Sequence, residues 1–356
     1  MKIPNLFKLS PNRVWRTYPG GRVLDERQGL DNPKDTQYPE DWVASTTKAV
    51  NKGREGKKNE GLSVVSVGGE RHLLRDLISE APDEMVGEAH FQKYGAHTRF
   101  LLKFLDSAIR LHLQAHPTVA FSKKHLQADA GKTEAYVILA IRKEITDPYI
   151  MLGIQHPLPP DKFKEAIEKQ DTESLLSCFD KIPIQAGDVF IVPGGMPHAI
   201  GEGVLMIEIM EPTDFAVRLE FERGDIVLPE EARFMGRDVS FAMDMISLQP
   251  KTVEQVRADH FCKPSSVERQ DGGEEFALIG PAQTDCFSVH RIVVSNIYEK
   301  EHDGFYVGIV TSGKGKISMD DLTLDLIEGD RFFVTNAAKK VHYQGAMEVV
   351  LTFPPE

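Results

Sequence analysis

GDVFIVPGGMPHAI, residues 187–200, contains a Gly-Asp turn, an apolar run and a small-residue loop with two prolines that ends on a histidine. Val189–Val192 is short, β-branched and aromatic, which is the composition of a buried strand bounded by turn residues. The same formula returns in GDRFFVTNAAKKVHY (329–343), and a shorter version in GDIVLPE (224–230). TSGKGKISMDDLTLDLIEGD (311–330) reads as two strands with glycine-containing turns. Short strands at this spacing predict an antiparallel jelly roll, and the recurrence predicts two in tandem. The expected fold is therefore mainly β, with one unit over 1–245 and a second over 246–356. EAYVILAI (134–141) adds another buried strand. RFLLKFLDSAIRLHLQAHP (99–117) reads as two strands joined by a turn at Asp106–Ser107. A small helical insertion is expected at 72–87, where Leu73, Leu74, Leu77 and Ile78 share a face, and again at 161–182. The charged, glycine-rich stretch 49–63 is expected to be a surface loop.

The chain has 356 residues, 41% hydrophobic and 27% charged, with a net charge of −12. That excess of acid argues against nucleic acid or an anionic membrane as a partner, since both need a basic face. The three cysteines, Cys178, Cys262 and Cys286, are far apart and odd in number, which suggests a reducing cytoplasm and no disulfide framework. The first residues, MKIPNLFKLSPNRVW, lack the apolar core of a signal peptide, and no apolar run is long enough for a membrane span.

LHLQAHP (111–117) alternates polar and apolar residues, so on a strand His112, Gln114 and His116 share one face. Zinc takes imidazole nitrogen and carboxylate oxygen in a roughly tetrahedral shell. His116, Glu134 and His198 would supply such a set, with Gln114 adding an amide oxygen. Taken singly, each has a plainer reading: a solvated strand face, a loop end meeting a strand, a hydrogen-bonded turn histidine.

Together, VWRTYPGG, PEDW, FLLKFLDSAIRLHLQAHP, GKTEAYVI and GDVFIVPGGMPHAIGEGVLMIEIMEPTDFAVR resemble the class I, cupin-type mannose-6-phosphate isomerases in their shorter bacterial form. The resemblance runs from Trp15 to about Phe221; the C-terminal third carries no motif of the family and rests on strand cadence. It implies tandem cupin domains; the second is expected to be metal-free, because His290, His302 and His342 are scattered without ligand spacing and read as surface or structural. The implied ligands of one zinc ion per chain are Gln114, His116, Glu134 and His198. It also implies a catalytic arginine at Arg218, an active-site glutamate at Glu208, and pocket residues at Lys103, Lys132, Glu40 and Trp15. The implied substrate is a small sugar phosphate. Oligomeric state is left open.

The implied reaction interconverts mannose 6-phosphate and fructose 6-phosphate through an enediol. Arg218 would stabilise the enediolate, and Glu208 is the leading candidate for the general base, with Lys132, His112 or a water on the metal as alternatives. Two departures bear on the substrate. His112 stands where the family commonly has a serine associated with phosphate, and RLEFERGDIV follows Arg218 in place of a lysine-bearing turn. An isomerase of another sugar, free or phosphorylated, and a non-catalytic sugar-binding metal cupin are the alternatives.

Overall fold

The computed structural model describes residues 3–355 except positions 52 and 224, so Lys52 of the expected surface loop and Gly224 of GDIVLPE lie outside the described residues. Two antiparallel sheets form the N-terminal part. One has six strands, in the spatial order Val189–Val192, Glu134–Ile141, Val204–Met210, Leu101–Asp106, Glu40–Val43 and Arg13–Val14. The other has five: Ile182–Pro183, Tyr149–Leu152, His198–Ile200, Gln114–Ala115 and Val217–Arg218.

Strand alternation sends each residue of the six-stranded sheet to one of two destinations. Leu105, Tyr136, Ile138, Phe190 and Met206 point inward and pack on Ile150, Leu152 and Ile200 of the facing sheet. Leu102, Phe104, Ala135, Val137, Leu205, Ile207 and Ile209 point outward, yet they too are buried. They meet Phe305, Val307, Ile309, Phe333 and Val350 of the C-terminal sheet, together with Leu74, Leu77, Ile78, Met85 and Val86 of the helical insertion. With both faces covered, these strands are nearly continuous apolar runs, and each polar residue in them stands out.

The C-terminal sheet has nine strands and rolls around its own core, which includes Tyr298, Tyr306, Phe332, Tyr343 and Leu351. Leu6–Lys8 pairs with Arg331–Val334, so the start of the chain joins this sheet. Phe7, Phe333 and Phe305 stack in sequence with centroids 5.4 Å apart at each step. Buried Asp41 accepts from Arg331 across the same boundary.

The expected helical segments form as Leu74–Glu80 and Pro82–Val86, and as Pro160–Lys169 and Thr172–Leu176. The stretch 99–117 differs from the two-strand expectation. Leu101–Asp106 is a strand, but the chain then crosses between sheets and only Gln114–Ala115 pairs again. Non-ladder contacts hold the crossing: Ser107 donates to the Val204 carbonyl, and Leu111 to that of Ile200. Buried Glu220 accepts from the Leu113 amide at 2.7 Å and from both terminal nitrogens of Arg110 at 2.7 Å. None of the described helices is long and apolar enough to cross a membrane.

In the C-terminal unit Glu275 is the most buried carboxylate, 1% exposed. It accepts from Lys300 at 2.8 and 2.9 Å, from the Tyr298 hydroxyl at 2.9 Å, and lies 2.6 Å from His290 Nδ1. Burial alone would raise its pKa, but His290 and Lys300 hold it at about 2, below the ordinary 4.5. A carboxylate depressed in the folded state contributes stability above its unfolded pKa, and that stability is lost as pH falls through the folded value. Glu275→Gln should therefore lower the unfolding free energy at pH 7 by about 3–5 kcal/mol, because it strands the Lys300 ammonium. In denaturant titrations the gap to wild type should close as pH falls from 4.5 toward 2; a gap independent of pH would assign the loss to packing.

Candidate active site and metal centre

Three segments converge at one end of the N-terminal sandwich. Pro117 and Thr118, just after His116, are met by Gly131 and Gly194, where an added Cβ would lie 2.6 Å from the Pro117 carbonyl oxygen at either position. Only glycine allows this approach. Backbone bonds close the junction: Lys132 N donates to Pro117 O at 2.9 Å and Gly195 N to His116 O at 2.6 Å. Buried Glu211 accepts from the amides of Gly131 and Thr133 at 2.8 and 2.9 Å, fixing the loop that leads into Glu134.

This junction brings His116, Glu134 and His198 together, and their ligand atoms lie within 4.8 Å of one another. His116 Nε2 is 3.1 Å from Glu134 Oε1, and His198 Nε2 is 3.5 Å from Glu134 Oε2. His116 Nδ1 lies 2.8 Å from the Phe215 carbonyl and His198 Nδ1 2.9 Å from that of Met196. Each Nδ1 therefore carries the donated proton, leaving both Nε2 atoms as lone pairs on the side of Glu134. Burial pushes the His116 pKa down to about 3, and burial lowers that of His198 as well. Two neutral imidazoles thus aim lone pairs at a carboxylate, and Glu134 Oε1 completes no hydrogen bond of its own. Lone pairs converging in a buried space call for a cation between them. The donor set, N₂O with imidazoles oriented from behind by carbonyls, fits a zinc-type site. Gln114 reaches the cluster, its Nε2 3.4 Å from His198 Nε2, and the amide turned over would offer its oxygen there.

Beside the cluster lies a cavity of about 240 Å³. Its walls include Trp15, Glu40, Lys103, His112, Gln114, Lys132, Glu208 and Arg218. Lys132 joins the two regions, 3.1 Å from Glu134 Oε1 and 3.3 Å from His116 Nε2. Every candidate residue from the sequence therefore lies at one locus.

A polar row crosses the inner face of the six-stranded sheet, where Trp42, Lys103, Glu208 and Tyr136 are successive cross-strand partners. Lys103 sits 2.7 Å from Glu208 and 3.1 Å from Glu40. Glu40 also accepts from Tyr18 at 2.6 Å, Trp42 at 2.7 Å and Arg16 at 2.9 Å. Arg16 in turn forms a two-pronged pair with Asp214 at 2.8 and 2.9 Å. Burial opposes ionisation of Glu40, but Arg16 and Lys103 hold it well below the usual carboxylate range. Glu208 goes the other way: burial pushes it up to about 8 against the pull of Lys103. The two carboxylates flanking Lys103 are thus driven apart in acidity. Arg16, Tyr18 and Asp214 were not singled out from sequence. VWRTYPGG and EPTDF contain all three, but nothing local pairs residues 198 positions apart.

His112 faces the cavity with its Nε2 unpartnered, although it is only 3% exposed. Burial, then the charges of Arg218, Arg223 and Arg110, push its pKa down to about 3, so it is a neutral imidazole. Arg218 donates to the Ala232 carbonyl at 3.1 Å, and Arg223 to that of Arg110 at 2.9 and 3.1 Å.

No family model matches the chain. A mannose-6-phosphate isomerase from Streptococcus mutans is 24% identical over 347 residues, covering 97% of this chain and 96% of the relative. The crystal structure of the mannose 6-phosphate isomerase from Bacillus subtilis superposes with a TM-score of 0.75 at 20% identity, over 98% of this chain and 99% of that one. A mannose 6-phosphate isomerase bound with zinc and yttrium superposes with a TM-score of 0.72 at 16% identity, over 99% and 100% of the two chains. The fold is thus the cupin fold that the strand cadence and motifs implied, carrying a histidine–glutamate–histidine cluster that could hold a metal. In sequence the chain is similar, over nearly its whole length, to a curated mannose-6-phosphate isomerase.

If the cluster holds a divalent metal, protein dialysed against that metal should retain it and His198→Ala or Glu134→Gln protein should lose most of it, as read by elemental analysis. Equal retention in wild type and both variants would exclude this ligand set.

Proposed function

We propose that the protein is a zinc-dependent aldose–ketose isomerase that interconverts mannose 6-phosphate and fructose 6-phosphate through an enediol. The observation that carries the reading is the adjoining of the His116–Glu134–His198 cluster to a cavity that is also lined by Glu208, Lys132 and Arg218. The relatives' names support the substrate, and the zinc in one superposable structure supports the metal.

His116, Glu134 and His198 would hold the zinc, with Gln114 as a fourth group, and the ion would supply Lewis acidity to the sugar oxygens. The remaining chemistry belongs to the chain. Glu208 takes the proton from the carbon beside the carbonyl and returns it to its neighbour, and a carboxyl raised by burial is a better base near neutral pH than an exposed one. Lys103 balances charge beside Glu208. Glu40 positions Lys103 and Arg16, since its own oxygens already accept from four side chains. Arg218 and Lys132 stabilise negative charge that develops on the sugar oxygens. Trp15 walls the cavity on its loop side. His112 offers an uncharged nitrogen to the end of the substrate nearest Arg218, with Arg223 and Arg110 behind it. The chemistry is thus assigned to residues 1–245, with 246–356 as the packing partner that holds the six-stranded sheet from outside.

The neutral His112 is also the observation that favours a second reading, isomerisation of a different sugar on the same scaffold. A coupled assay over phosphorylated and free hexoses separates the two. Turnover of mannose 6-phosphate is the expected result; turnover confined to unphosphorylated sugars would replace the first reading with the second. Metal binding without turnover of any sugar would leave a binding module.

Glu208→Gln should lower kcat by about 10²–10⁴-fold with little change in KM. Arg218→Ala should lower it by about 10²–10³-fold while the metal stays bound. An Arg218→Ala protein that retains its metal and the full rate would remove Arg218 from the scheme.

A further inference from the structure

Next to the catalytic cavity is a second concavity, about 450 Å³, on the loop that follows Val43. Its charged walls are Lys48, Arg54, Lys57 and Lys58 against Glu55 and Glu60. On a chain of net charge −12, this is a local reversal of sign. Glu60 is further neutralised by Arg54 at 3.0 Å and by the Asn51 amide at 3.2 Å. Lys48, Lys57 and Lys58 are exposed, and among the described residues none of them forms an ion pair.

The basin and the cavity share a wall, because Val50 and Asn51 line both. That wall is fixed from the catalytic side. The Val50 amide donates to Asp214 at 2.9 Å, the same carboxylate that grips Arg16, and Asn51 donates to the Trp15 carbonyl at 2.9 Å. Arg54 lies over the Trp15 ring at 5.1 Å, with its positive charge directly behind a cavity wall.

We propose that this basin is a capture site for dianionic sugar phosphates, which concentrates them at the mouth of the cavity and favours phosphorylated over free sugars. The inference rests on the sugar-phosphate isomerase reading above. Lysines without partners present a mobile positive field, which raises the local concentration of a dianion but leaves a neutral sugar unaffected. Such a field acts on encounter and not on the bound chemistry, and salt screens it once the Debye length falls to a few ångströms. Basin and cavity therefore divide the work: the first sets how often a phosphorylated sugar arrives, the second what happens to it.

The test is kcat/KM for mannose 6-phosphate as a function of ionic strength, in wild type, Lys57→Gln/Lys58→Gln and Lys57→Glu/Lys58→Glu proteins, with free mannose as the uncharged control. At low salt the neutralised variant should fall about threefold to tenfold and the reversed variant further, with kcat unchanged. All three should converge at high salt, and any rate on free mannose should be the same in all. Circular dichroism checks the fold of these surface variants. If mannose 6-phosphate is turned over but neither salt nor either variant alters kcat/KM, the capture site is excluded while the isomerase reading stands. If the wild type turns over no phosphorylated sugar, both fall together.

Discussion

The N-terminal half is organised around one buried carboxylate. Glu134 is fully enclosed, stands at the first position of a strand whose next seven residues are apolar or aromatic, and is faced by two imidazole lone pairs. At low dielectric that constellation favours positive charge beside it, which the Lys132 ammonium supplies 3.1 Å from Glu134 Oε1. The glycine-tight junction at Pro117–Thr118, the Glu211 bracket and the carbonyls behind each imidazole fix the positions of His116, Glu134 and His198, a group that could hold a metal. A donor set fixed in this way would lose little conformational entropy on binding an ion.

From that point the alternation of a single sheet spreads polarity in one direction. Lys103, Glu208 and Glu40 point inward because their neighbours point outward to the C-terminal unit. The C-terminal sheet therefore bears on the cavity through the outer face of the six-stranded sheet. By covering the outer face it fixes the register, and a one-residue slip would turn the polar row out of the cavity. The chain Asp214–Arg16–Glu40–Lys103–Glu208 alternates sign at each step, so each buried charge has a partner, and only the last carboxyl is left with a raised pKa.

Much of the fold and of the candidate site was legible in the sequence, because the residues that cluster and those that line the cavity sit in short motifs of fixed spacing. The recurring Gly-Asp formula led to the right class of fold, and LHLQAHP, GKTEAYVI and PGGMPH contain the residues that cluster, His116, Glu134 and His198. Partnerships between distant segments were not legible. Arg16 and Asp214 meet only through the fold, and Glu211 shows its purpose only when Gly131 and Thr133 turn their amides toward it. Of the second strand expected in 99–117, after the Asp106–Ser107 turn, only Gln114–Ala115 forms, because Glu220 and carbonyls of the other strands replace the ladder before it. Glu88–Tyr94 gave no helical signal since none of its residues is buried, and the helices Glu230–Arg233, Val239–Met245 and Val253–His260 are too short to form without tertiary contacts.

The most direct test of the account is X-ray absorption at the zinc edge of the zinc-loaded protein. The structure predicts nitrogen and oxygen neighbours at about 2.0–2.1 Å with the multiple-scattering pattern of two imidazoles and no sulfur. A shell of oxygens alone, or one containing thiolate sulfur, would contradict the assignment of His116, Glu134 and His198 as the centre on which the site is built.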